Sequence, residues 1–187
     1  MRDLQKYTDQ DLPNLKFEAE ASFEDCEFQG IDFTKIGLKA VSFLNCKFTN
    51  CNWANQNLTN ASLRDVHFES CNLLGVNWCV LRRFEHPRFQ DSKLNLSSFQ
   101  SLKLKRTSFA GCSIIDADFS GADLTESDFS NCGLAGTNFE GAVLIGVDFR
   151  SSRDYLFDIR KAKIKGAKFS LPHVLALITT LGADIEY

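Results

Sequence analysis

Ala117-Asp118-Phe119-Ser120-Gly121 followed by Ala122-Asp123-Leu124-Thr125-Glu126 is one five-residue phrase written twice: small, acidic, large apolar, then two small or polar residues. Steps of five outward from Phe119 keep landing on large apolar side chains. Toward the C-terminus they reach Leu124, Phe129, Leu134, Phe139, Leu144 and Phe149; toward the N-terminus, Ile114, Phe109, Leu104, Phe99, Leu94, Phe89 and Phe84. A second run in the same step holds Phe23, Phe28, Phe33, Leu38, Phe43, Phe48, Trp53, Leu58, Leu63, Phe68, Leu73 and Trp78. Helices and flat strands repeat their faces every ~3.6 and ~2 residues, so neither explains this period. The chain is an array of internal repeats.

A second rule runs two places ahead of the large residues. Those positions hold Ala21, Cys26, Ile31, Ile36, Val41, Cys46 and Cys51, and later Cys112, Ala117, Ala122, Ser127, Cys132, Thr137 and Ala142. Each unit therefore has one shallow and one deep inward position. The resulting A-(D/N)-(L/F)-(S/T)-x pattern resembles the pentapeptide-repeat family over roughly residues 19–169. That resemblance implies an all-β solenoid, a right-handed quadrilateral β-helix with one unit per side, so that positions one four-unit coil apart stack at strand-like spacing of ~4.7–4.9 Å.

The register slips by one between Trp78 and Phe84, near 79–84. With the slip allowed for, one column reads Phe28, Phe48, Phe68, Phe89, Phe109, Phe129, Phe149 and Phe169, beside a column that is mostly leucine in its later coils. The extra residue is expected as an outward bulge at Arg82 and Arg83.

The ends depart from the rule as an array requires. Glu18 and Pro13 occupy the preceding deep positions, so residues 1–16 read as a lead-in or cap and 17–169 as the β-helix. Asp154 interrupts the deep series, which Ile159, Ile164 and Phe169 resume. In residues 170–187, Leu171, Val174, Leu175, Ile178 and Leu181 follow helical spacing, with Pro172 fitting a first turn and Gly182 the stop. Residues 183–187 suit a short terminal strand. A short C-terminal α-helix there would cover the open sheet edge. Its surplus apolar surface predicts a homodimer interface made by the same five residues.

Composition narrows the function. Hydrophobic residues are 44% of the chain, with 17 Phe but 1 Met and 3 Tyr, as one slot type filled repeatedly would give. A net charge of -3 is too small to imply nucleic acid or a membrane as direct partner. The first residues hold no apolar export segment and no stretch is long enough to span a bilayer, so a cytoplasmic protein with reduced thiols is expected. Of the 7 Cys, six sit in shallow inward positions, where a column of parallel side chains cannot converge on a metal. His67, His86 and His173 are scattered, and no phosphate-binding loop, dinucleotide motif or zinc-protease motif occurs. Neither a catalytic constellation, a metal site nor a cofactor is expected; the reading is a binding protein, not an enzyme.

Charge is banded along the chain. Residues 82–106 carry seven bases against two acids, a net +5, and residues 107–150 carry seven acids against Arg150, a net -6. The array with its C-terminal helix resembles the topoisomerase-binding branch of the family, which includes the Qnr quinolone-resistance proteins. That resemblance implies a dimer through the helix and a DNA-like acidic surface engaging gyrase or topoisomerase IV. The matching residues are Asp116, Asp118, Asp123, Glu126 and Asp128 for the acidic face. A general protein-interaction scaffold is the alternative.

Overall fold

A chain that turns a corner every five residues needs, at each corner, a conformation that L-residues seldom adopt. Most fifth residues lie at positive φ, from +48° at His86 to +73° at Gly166, and Asn, Asp and Gly fill many of these positions because they tolerate that region. Three corners use a 3₁₀ turn instead, over Phe33–Lys35, Trp78–Val80 and Ile159–Lys161. The computed structural model describes residues 5–184 and is a right-handed four-sided β-helix.

On the first side, β2 (Ser22–Glu24), β4 (Ser42–Leu44), β6 (Ser62–Arg64) and β8 (Arg83–Glu85) form one parallel sheet. On the second, β1 (Gln5–Tyr7), β3 (Cys26–Gln29), β5 (Lys47–Thr49), β7 (His67–Glu69) and β9 (Arg88–Gln90) form another. The ladder thus reaches back into the stretch read as a lead-in. The third and fourth sides, and all four beyond Gln90, are joined by single parallel bridges such as Asn52↔Asn72, Lys103↔Asp123 and Asp128↔Asp148.

The second-side column is stacked as the spacing predicts, with ring centroids 5.1 Å apart for Phe28–Phe48, 5.0 Å for Phe48–Phe68, 5.2 Å for Phe89–Phe109 and 4.6 Å for Phe109–Phe129. Tyr7 adds a ring below Phe28 at 5.4 Å, and Phe169 closes the column on Phe149 at 5.2 Å. The rings of adjacent sides meet edge-on, Phe109 against Phe119 at 5.5 Å, so the interior is filled.

Each place in the five-residue phrase has its own bond. The Asp or Asn before the deep residue accepts from the backbone N–H two residues on: Asp118 from Ser120 at 2.9 Å, Asp128 from Ser130 at 2.8 Å, Asn138 from Glu140 at 3.0 Å. Shallow thiols and hydroxyls donate to a carbonyl of the coil below, Cys132 Sγ to Phe109 O at 3.0 Å and Ser127 Oγ to Leu104 O at 2.6 Å. Cys, Ser and Thr recur there because they are small and carry a donor.

Asp154 interrupts the deep series as read, exposed at φ +63°, while Tyr155 and Phe157 are buried beside it, Tyr155 6.0 Å from Phe149 and Phe157 5.2 Å from Phe139. Two expectations at the C-terminal end change. The expected helix over Leu171–Leu181 shrinks to α1, Leu175–Thr179, flanked by turns, with Pro172 ahead of it rather than in its first turn. Ala183 and Asp184 form no strand, and Ile185–Tyr187 lie outside the described residues.

Candidate interaction surfaces

Each step of five carries the chain around a corner, so neighbours in sequence land on different sides. The acids expected to form one face are therefore dispersed. Asp123 bridges Lys103 and Val143 on the first side, Asp128 bridges Ser108 and Asp148 on the second, and Asp118 bridges Ser98 and Asn138 on the fourth. Asp116 turns the corner after the third side, at φ +53°, and Glu126 the corner after the first, at φ +60°. The single acidic face is corrected accordingly.

Several of these acids are also engaged. Lys105 Nζ lies 3.2 Å from Asp123 and Arg106 Nε 2.6 Å from Glu126, because the basic stretch is the coil directly beneath the acidic one. Partial burial pushes the Asp118 carboxyl up, but bonds from Ser120, Gln100 and Asn138 hold it below its ordinary value. Asp123 is likewise held low, against its burial, by Thr125 and Lys105. The +5 and -6 stretches thus meet at two ion pairs between adjacent coils.

The twenty-first residue of the irregular coil enters at Arg82 and Arg83. Arg82 N–H donates to Ala61 O at 2.9 Å, while Arg83 pairs with Ser62. In the coil below, one residue does both: Ser62 N–H donates to Val41 O at 2.9 Å and Ser62 pairs with Ser42. Both arginine side chains are exposed.

At the C-terminal end, Leu171, Ile178 and Leu181 are 74%, 39% and 47% exposed, while Val174 and Leu175 are half-buried. The anchor is Leu177, buried against the last coil. It lies off the helical series that singled out its neighbours, and a helix of five residues has too short a period for spacing to identify its inner face.

Among the described residues no group of His, Cys, Asp and Glu could hold a metal ion, and no helix is long and apolar enough to cross a membrane. Burial pushes the Cys46 and Cys112 thiols up to about 12 and raises Cys132 as well, while Cys79 is exposed. Iodoacetamide is therefore expected to modify Cys79 alone in the folded chain and all 7 Cys in denaturant, read by mass spectrometry. A second fast-reacting thiol would contradict the buried shallow positions.

A family model described as a pentapeptide repeat region matches residues 21–99 and 82–172. No curated protein matches the sequence. Among solved structures, a trypsin-treated variant of QnrB1, a plasmid-mediated fluoroquinolone resistance protein, aligns over 92% of this chain and 94% of its own at 18% identity, with a TM-score of 0.64. A second trypsin-treated QnrB1 variant aligns over 90% and 91% at 20% identity, with a TM-score of 0.53.

Proposed function

Because the chain belongs to the pentapeptide-repeat family, we propose that it is a non-catalytic binding rod whose partner is a type II topoisomerase, gyrase or topoisomerase IV. The supporting observation is the shared fold, which runs over 92% of this chain and 94% of a fluoroquinolone resistance protein; fluoroquinolones act on these enzymes. The test is gyrase supercoiling with and without a fluoroquinolone, at low salt. Micromolar protein should change either the supercoiling rate or its inhibition, and the effect should fade as salt rises, because exposed charges are screened within ~10 Å at 0.1 M. Indifference in both assays overturns the topoisomerase reading.

One observation favours the second reading, a scaffold for some other protein. The acids expected to imitate DNA sit on different sides, and Asp123 and Glu126 are paired to the coil beneath. A scaffold needs no continuous negative track.

The rod is further proposed to pair with a second copy through its cap, where Leu171, Ile178 and Leu181 are exposed around the anchored Leu177. A two-fold contact places the same patch on both copies. Changing Leu171 and Ile178 together to Glu should convert a dimer into folded monomers by sedimentation. A monomer in the unmodified protein rules this out.

A further inference from the structure

On the first side the coil ladder is interrupted once. Between the first and second coils of the regular C-terminal half, every corner region is bonded: Asp123 N to Leu102 O at 2.9 Å, Leu104 N to Asp123 O at 2.8 Å, Arg106 N to Thr125 O at 2.9 Å. One coil lower, no backbone hydrogen bond joins residues 81–87 to residues 101–107. The N–H groups of His86 and Lys103, whose counterparts Arg106 and Asp123 are bonded, have no acceptor among the described residues. The ladder resumes only at Phe89, whose N–H reaches Ser108 O at 2.8 Å.

Two features of the sequence open this gap. The doubled position at Arg82 and Arg83 displaces the strand, and the corners change type across it. From Leu104 onward the corner closes with a turn bond, Thr107 N to Leu104 O at 3.3 Å, whereas Pro87 occupies the equivalent place below and has no N–H to give. Phe84 records the result: it is half-buried in a column where Leu63 and Leu104 are closed off.

The gap is lined by bases. Arg82 and Lys103 form no ion pair among the described residues, and Arg83, Lys105 and Arg106 are held only by exposed pairs to Glu85, Asp123 and Glu126. A groove of about 600 Å³ continues from it past His86, Arg88 and Lys105.

We propose that this gap is a docking site for an extended acidic segment of a protein partner, bound by strand addition to its open lip. Free backbone groups beside an extended stretch such as Arg83–Glu85 recognise another backbone, and alternate side chains of an added strand point in and out. Inward apolar residues would meet Phe84, and outward carboxylates would meet Arg82, Arg83, Lys103 and Lys105. The interspersed Glu85, Asp123 and Glu126 disfavour a nucleic-acid backbone, which calls for an uninterrupted basic track. The site is independent of the topoisomerase reading.

The test is fluorescence anisotropy with three labelled probes: a short peptide alternating Glu and Val, the same peptide N-methylated at alternate residues, and an oligothymidylate of equal charge. The plain peptide should bind at low salt. N-methylation, or the double substitution Arg82→Glu with Lys103→Glu, should weaken it by about tenfold or more, with circular dichroism confirming that the variant folds. The oligothymidylate should bind more weakly. Absence of peptide binding, indifference to N-methylation, or an oligothymidylate that binds as well as the peptide would each overturn the proposal.

Discussion

Replacing Phe109 by alanine is expected to lower stability by about 3–5 kcal/mol, the range for truncating a buried aromatic. Phe109 is fully buried, stacked on Phe89 at 5.2 Å and Phe129 at 4.6 Å, with Phe99 and Phe119 meeting it edge-on at 5.8 and 5.5 Å. No neighbouring side chain can collapse into the space, because each is fixed by its own coil. The cavity would also weaken the contact between two halves of a linear array, whose stability depends on nearest-neighbour interfaces. Chemical denaturation followed by circular dichroism measures the loss. An effect below about 1 kcal/mol, the size of a surface change, would contradict the stacked interior.

Ala122→Asp should be comparably damaging, and its effect should depend on pH. The shallow position of Ala122 is 0% exposed, so a carboxylate there loses its water without gaining a partner. A penalty of several kcal/mol is expected at neutral pH. Burial raises the folded-state pKa of the new acid above the unfolded value of about 3.9. The neutral form is then tolerated below that value, and stability is lost as pH rises toward the folded pKa. The variant should therefore lie closest to the parent near pH 4 and furthest from it near pH 8. Asp123→Ala, one residue on, removes an outward side chain and should cost far less. A change within about 0.5 kcal/mol at every pH would place position 122 at the surface.

The repeat was legible because the fold imposes one rule on nearly every unit. Phe119 and Leu124 are buried, and Asp118 and Asp123 bond the N–H two residues on, for the same local reasons in each phrase. The irregular places were less legible. Tyr7 lies beneath Phe28 in the second-side column but 21 residues before it, so steps of five, already broken at Glu18 and Pro13, would land on Thr8 instead. Asp154 broke the pattern visibly, yet nothing local said that Tyr155 beside it would turn inward. The acidic face was misjudged for a geometric reason. Charge summed along a sequence mixes four sides that point in different directions, and it cannot see that Lys105 lies under Asp123. The open wall left a trace at residues 79–87, where the slip coincides with Pro87 in a shallow position, but bonding across coils had to be seen.

That open wall has a mechanical side. Where the rod is riveted on all four walls, a pull on its two ends loads them together. Between Leu81–Pro87 and Ser101–Thr107 one of those walls carries no rivets. Under tension the load there falls on the remaining three, with Trp78 N to Ser98 O at 3.0 Å and Leu73 N to Lys93 O at 2.8 Å among the bonds that bear it. On the first side a stretched molecule would part at this notch before any other level, between an N-terminal segment with paired sheets and a C-terminal segment of single bridges.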